Sequence, residues 1–139
     1  MPLARYAMYS QNIDIYVAPT WDEGKTWLAT MQHIAKEGGC WVISCATSIQ
    51  ASDIPSDLPH YNELFPKQDE WVNSGDAVIY KPFGELHAGP MNKEKGLLFS
   101  DIDVSLSRVS RRRFDATGHY SRPDIFSLKI DKSKKKPII

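Results

Sequence analysis

At 139 residues, with 42% hydrophobic and 24% charged side chains, the chain has the size and composition of one soluble domain. Formal charge is zero overall, yet residues 104–139 carry +7 and residues 1–103 carry −7. The longest mostly apolar run, Cys40–Ala46, is too short to cross a bilayer, and the start lacks the pattern of a secretory signal, so no membrane partner and a cytoplasmic location are expected.

Residues 2–11 read as a helix, with Pro2 at the first helical position and Leu3, Tyr6, Ala7 and Ser10 at helical spacing. A strand is expected over Ile13–Ala18, rich in Ile, Tyr and Val and ended by Pro19. Asp22 is the expected N-cap of a helix over 24–37, whose stripe is Trp27, Leu28, Met31, Ile34 and Ala35 and whose stop is Gly38-Gly39. Cys40–Ala46 reads as a strand buried on both faces. This alternation predicts an α/β fold with strands of one sheet joined by crossover helices. Residues 50–75, with Pro55, Pro59 and Pro66, read as a long irregular loop. Strands over 77–80 and 85–88 flank the turn Lys81-Pro82-Phe83-Gly84, and a further strand is expected over Gly96–Ile102. Asp103 is placed to cap a short helix over 104–113. Residues 127–139 form a basic tail in which Lys132–Lys136 are expected to be solvated.

Few residues offer chemistry of their own. Cys40 and Cys45 lie an odd number of residues apart, on opposite faces of the predicted buried strand, where a thiol acts as a small hydrophobe. His33, His60, His87 and His119 are too scattered to form a metal-ligand pair, and no Gly-rich phosphate loop is present, so no metal and no cofactor are expected. Arg111-Arg112-Arg113 ends a predicted helix, where cations meet the dipole favourably, and no aromatic-interleaved basic face accompanies it; nucleic acid is not an expected partner. Glu37 ends a helix at the wrong end of its dipole and should find a positive partner. Arg122 and Asp124 flank Pro123 and are candidates to pair with each other.

Several stretches match, in order, a known pattern. They are Met1-Pro2-Leu3-Ala4-Arg5-Tyr6-Ala7-Met8-Tyr9, Ile15-Tyr16-Val17-Ala18-Pro19-Thr20, and His33-Ile34-Ala35 with Glu37-Gly38-Gly39-Cys40-Trp41-Val42. Ser74-Gly75-Asp76-Ala77-Val78-Ile79, Gly84-Glu85-Leu86-His87-Ala88-Gly89-Pro90 and Asp115-Ala116-Thr117-Gly118-His119-Tyr120-Ser121-Arg122-Pro123-Asp124-Ile125-Phe126 complete the set. Over residues 1–126 the chain resembles the nitrilases, carbon–nitrogen hydrolases that convert organic nitriles to carboxylic acids and ammonia. Ser52–Asn62 matches no pattern of that family.

The resemblance implies the C-terminal half of an α-β-β-α sandwich, beginning just after the nucleophile motif Cys-Trp-Glu-Asn-Tyr. The family's Glu, Lys and Cys would then lie upstream of Met1, and this chain would be inactive alone. It further implies a pocket for a small nitrile near the loop after residue 19, with Thr20 and Trp21 on its wall; a core or interface position for Trp21 is the alternative. His119 is expected either to shape the site or a subunit contact, or to bond backbone through a ring nitrogen. A homodimer or spiral homo-oligomer through residues 2–11 and 24–37 is implied as well. Two other roles remain open: a split-enzyme subunit that pairs with a separate N-terminal half, and a non-catalytic interaction domain.

Overall fold

A computed structural model describes residues 1–133. Its elements in chain order are α1 (Pro2–Tyr9), β1 (Ile15–Pro19), α2 (Gly24–Gly38), β2 (Trp41–Cys45), β3 (Ile49–Gln50), α3 (Tyr61–Leu64), β4 (Trp71–Asn73), β5 (Gly75–Tyr80), β6 (Leu86–Asn92) and α4 (Ser105–Arg113). The fold is α/β. Four strands make one mixed sheet in the order β1-β2-β5-β6, with β1 parallel to β2 and the other pairs antiparallel. The parallel pair needs a crossover, and α2 supplies it. No helix among the described residues is long and apolar enough to cross a membrane.

Helix α2 packs on one face of the sheet through Met31, Ile34 and Ala35, against Ala18, Val42 and Val78. Two features set its limits. Gly39 takes a left-handed conformation (φ 56°) that ends it, and Cys40 N–H returns to Ala35 O at 3.3 Å. At the start, Asp22 is not the cap that the sequence suggests. Its carboxylate accepts from the neighbouring Glu23 amide, while Gly24 N–H is received by Asp76, 52 residues away, at 2.6 Å. A carboxylate from β5 thus replaces the local one.

The opposite sheet face is covered unevenly. Trp41 and Ile79 are buried there, but Ile15 and Val17 on the edge strand β1 are 39% and 65% exposed. Alternation along a strand puts these two on the face away from Ala18 and α2.

Three further expectations need correction. Residues 50–75 are not an irregular loop. They hold the two-stranded β3–β4 sheet and two helical turns, fastened by Ala51 N–H to Glu70 O (2.9 Å) and the Tyr61 hydroxyl to Ala51 O (2.7 Å). Gly96–Ile102 forms no strand. It runs past β6 with Leu97 and Phe99 exposed, held by a His87 Nε2 contact to Asp101 O at 3.0 Å. Pro90 on β6 has no N–H to offer a further strand. Finally, Cys45 is exposed; only Cys40 of the two thiols is buried, so the second strand is not covered on both faces along its length.

Other expectations hold. The Lys81–Gly84 turn closes with Gly84 N–H on Lys81 O at 2.8 Å, and Gly84 adopts φ 83°. Asp103, by contrast, lies one residue ahead of Val104, the residue that caps α4, so it is not itself the cap; it accepts from Ser105, and the hydrogen bonds from the Ser105 hydroxyl and amide hold its carboxyl below the usual range. Of the basic tail, residues 134–139 lie outside the described residues.

Candidate functional site

The end of β1 delivers the loop Thr20–Glu23 to the C-terminal edge of the parallel β1–β2 pair, the usual place for ligand-contacting residues in α/β sheets. Nearly every position of this loop is pinned. Thr20 N–H bonds Cys45 O at 3.0 Å, extending the β1–β2 pairing by one residue. Thr20 Oγ1 accepts Asp22 N–H at 2.8 Å, and Asn73 Nδ2 donates to Trp21 O at 2.7 Å. Glu23 Oε2 accepts from both the amide and the hydroxyl of Ser74, and Asp76 Oδ2 accepts Gly24 N–H. The Trp21 indole, by contrast, is 61% exposed.

The partners of the loop come from the corner between β4 and β5. Asn73 and Asp76 are almost wholly buried, and such polar side chains need full hydrogen bonding. Asn73 Oδ1 takes Gly75 N–H at 2.8 Å, and Asn92 Nδ2 donates to Asp76 Oδ1 at 2.8 Å. Gly75 and Asp76 both have positive φ (92° and 62°), and this double left-handed step aims the carboxylate at the start of α2. Sequence reasoning missed these residues. Gly75-Asp76 was the available signal, since Gly and Asp are among the residues that tolerate such backbone.

His119 belongs to the other end of the sheet. Its ring meets Tyr120 edge-on at 5.1 Å, and Tyr120 lies on Phe114, next to the end of α4. Phe114 lines a shallow cleft with Tyr9, Glu37, Gly38 and Arg111. Arg111 reaches Ile13 O and Asp14, both before the start of β1, whereas Thr20 and Trp21 follow its end. The structure therefore groups Thr20 with Trp21 and does not bring the His119 segment to them. In the cleft, Glu37 meets the Arg5 guanidinium at 3.5 Å, the positive partner its position calls for, accepts the Tyr9 hydroxyl at 3.0 Å and lies 3.5 Å from His33. Burial, reinforced by Glu37, pushes the Tyr9 hydroxyl well above its ordinary range. The Arg122–Asp124 pair forms at 2.6 Å.

Neither cysteine sits as a nucleophile. Burial pushes the Cys40 thiol up to about 12, so it stays neutral and unreactive near pH 7. Its neutral form adds stability below the ordinary value of 9.0, and that contribution is lost as pH rises toward about 12. Cys45 is exposed, with Pro19 as its register partner on β1, and proline supplies no base. With a maleimide at neutral pH, Cys45 should label within minutes and Cys40 only as fast as the protein unfolds. Equal rates, read by mass spectrometry of the two peptides, would contradict the burial of Cys40.

The carbon-nitrogen hydrolase family model matches residues 1–112. The chain belongs to this family. It is 40% identical to nitrilase 2 of Arabidopsis thaliana over 99% of its own length and 42% of the relative's. It is 37% identical to the aliphatic nitrilase of Sinorhizobium fredii, over 100% and 44% of the two lengths. A bifunctional nitrilase/nitrile hydratase of Lupinus angustifolius is 38% identical, over 99% and 40%. The chain thus spans about two-fifths of the length of these curated relatives. Among solved structures, a carbon-nitrogen hydrolase from Helicobacter pylori superposes with a TM-score of 0.64 at 15% identity, covering 90% of this chain and 43% of that one. That likeness carries the fold. The carbon-nitrogen hydrolase membership rests on the sequence match.

Proposed function

We propose that this carbon-nitrogen hydrolase chain is the part of a nitrilase that follows the nucleophile. The Cys, Glu and Lys that perform the chemistry would come from sequence outside it. The observation that carries the reading is the match to relatives named nitrilases across nearly all of this chain but two-fifths of theirs. The thiolate adds to the nitrile carbon, and the nitrogen takes a proton to give a covalent thioimidate. Water adds to that carbon, ammonia leaves, and a second water hydrolyses the thioester to the carboxylic acid and the free thiol. The carboxylate moves protons and the ammonium stabilises developing negative charge.

On this reading Thr20 and Trp21 wall the nitrile pocket, and His119 serves the far end of the subunit, where it shapes a contact. α1 and α2 are the faces of a dimer or spiral, and bonds from Arg5 and Tyr9 to Glu37 hold the two helices to each other. Free Cys40 and Cys45 accord with a cytoplasmic location. The exposed apolar side of β1, at Ile15 and Val17, suits a covering layer supplied by the remaining part. That same face favours a second reading, in which the two halves are separate chains that assemble.

Ammonia release from a panel of aliphatic and aromatic nitriles tests the proposal. The 139-residue chain should release none. Joined to the upstream half of a relative, or mixed with it, it should turn nitriles over, and Cys40→Ala and Cys45→Ala should leave that activity intact. Turnover by the chain alone that disappears in Cys45→Ala, or silence of every joined form, would overturn it.

A further inference from the structure

The corner between β4 and β5 is built to hold the Trp21 loop. Asn73 and Asp76 are 1% and 3% exposed. Their side-chain bonds go to the loop, to the corner itself and to Asn92, which braces Asp76. Ser74, between them, donates twice to Glu23. Three neighbouring residues thus grip the loop at Trp21, Glu23 and Gly24. What they grip is instructive. The hold on Trp21 is at its carbonyl, and the indole is left mostly free. A fixed backbone bearing an exposed aromatic ring is the arrangement of a preformed apolar wall, which binds without first having to order itself.

We propose that Asn73, Ser74 and Asp76 are positioning residues that hold Trp21 as a rigid wall against the side chain of the nitrile, and so help set which nitriles are accepted. The proposal rests on the nitrilase reading for the identity of the substrate and on the loop geometry for the rest.

Two isosteric substitutions separate the grip from the packing. Asn73→Asp keeps the acceptor for Gly75 N–H but removes the donor to Trp21 O. Asp76→Asn keeps the size and the left-handed backbone. Its oxygen can still accept Gly24 N–H if Asn92 turns its own amide to accept from the new nitrogen, but both bonds then lose the carboxylate's charge. Both variants would be made in the chain joined to the upstream half of a relative, and examined by hydrogen exchange and by steady-state kinetics.

Exchange of residues 20–24 should rise about tenfold, the scale of one lost hydrogen bond, while the sheet keeps its protection. KM for bulky nitriles should rise about tenfold, with kcat for the smallest nitrile within about twofold of wild type. Unchanged loop exchange would overturn the proposal, as would a uniform rise across the protein or an equal fall in kcat for every nitrile. Loop loosening in an enzyme that hydrolyses no nitrile would uphold the grip and overturn the nitrilase reading instead.

Discussion

Trp41→Ala is expected to destabilise the protein by about 3–5 kcal/mol, the range for removing a fully buried large aromatic side chain. Trp41 is 1% exposed and sits on the sheet face that α2 does not cover. Its indole N–H donates to Asp103 O at 2.9 Å, and its ring meets His87 edge-on at 4.9 Å. One side chain therefore both fills that face and ties down the segment that leads into α4. Trp41→Phe keeps most of the apolar body and loses the N–H bond, which should cost about 1–2 kcal/mol. Urea unfolding of the two variants gives the comparison. If alanine and phenylalanine were equally destabilising, the hydrogen bond to Asp103 would outweigh burial.

Arg111 should be a second sensitive position. Its guanidinium donates to Ile13 O and Asp14 Oδ1, each at 3.0 Å, and to Gly39 O at 3.5 Å. These groups sit where β1 starts and α2 ends, so one planar fork joins α4 to both. Asp14 keeps 39% of its side-chain exposure, which limits the gain from the ion pair itself. Arg111→Met should still cost about 2 kcal/mol, because two buried-side carbonyls lose their donor. Arg111→Lys should recover less than half, since a single ammonium cannot span the same acceptors. The flanking Arg112→Ala should stay within about 0.5 kcal/mol, as exposed charges usually do. Thermal midpoints of the three variants decide it, and a full rescue by lysine would remove the fork from the explanation.

The same residues show what could be read from the chain before its structure. The stripe on α2 and its Gly38-Gly39 stop were legible because periodicity and left-handed glycine are local signals. So was the need of Glu37 for a cation. Arg111 was read as a helix-end charge, which is correct for its dipole and silent about Asp14, 97 residues away. Asp22 fits a capping pattern because such patterns span only a few residues. The group that receives Gly24 N–H is 52 residues on. Thr20 and Trp21 could be located from the strand that precedes them, but their grip by Asn73, Ser74 and Asp76 is a tertiary fact with no sequence periodicity. Gly96–Ile102 has the composition of a strand and the misfortune of facing Pro90.

Asp76 limits its own replacement in an unusual way. Its φ of 62° admits few residues in comfort: glycine, asparagine and aspartate. Asparagine preserves the shape and removes the charge from both bonds. Glycine preserves the backbone path and deletes the carboxylate altogether. A lineage drifting through this position therefore has one step that frees the Trp21 loop without straining the chain, and few that change the loop in any other way. The freedom of the Trp21 loop is thus governed from a residue on β5, far along the chain from the loop itself.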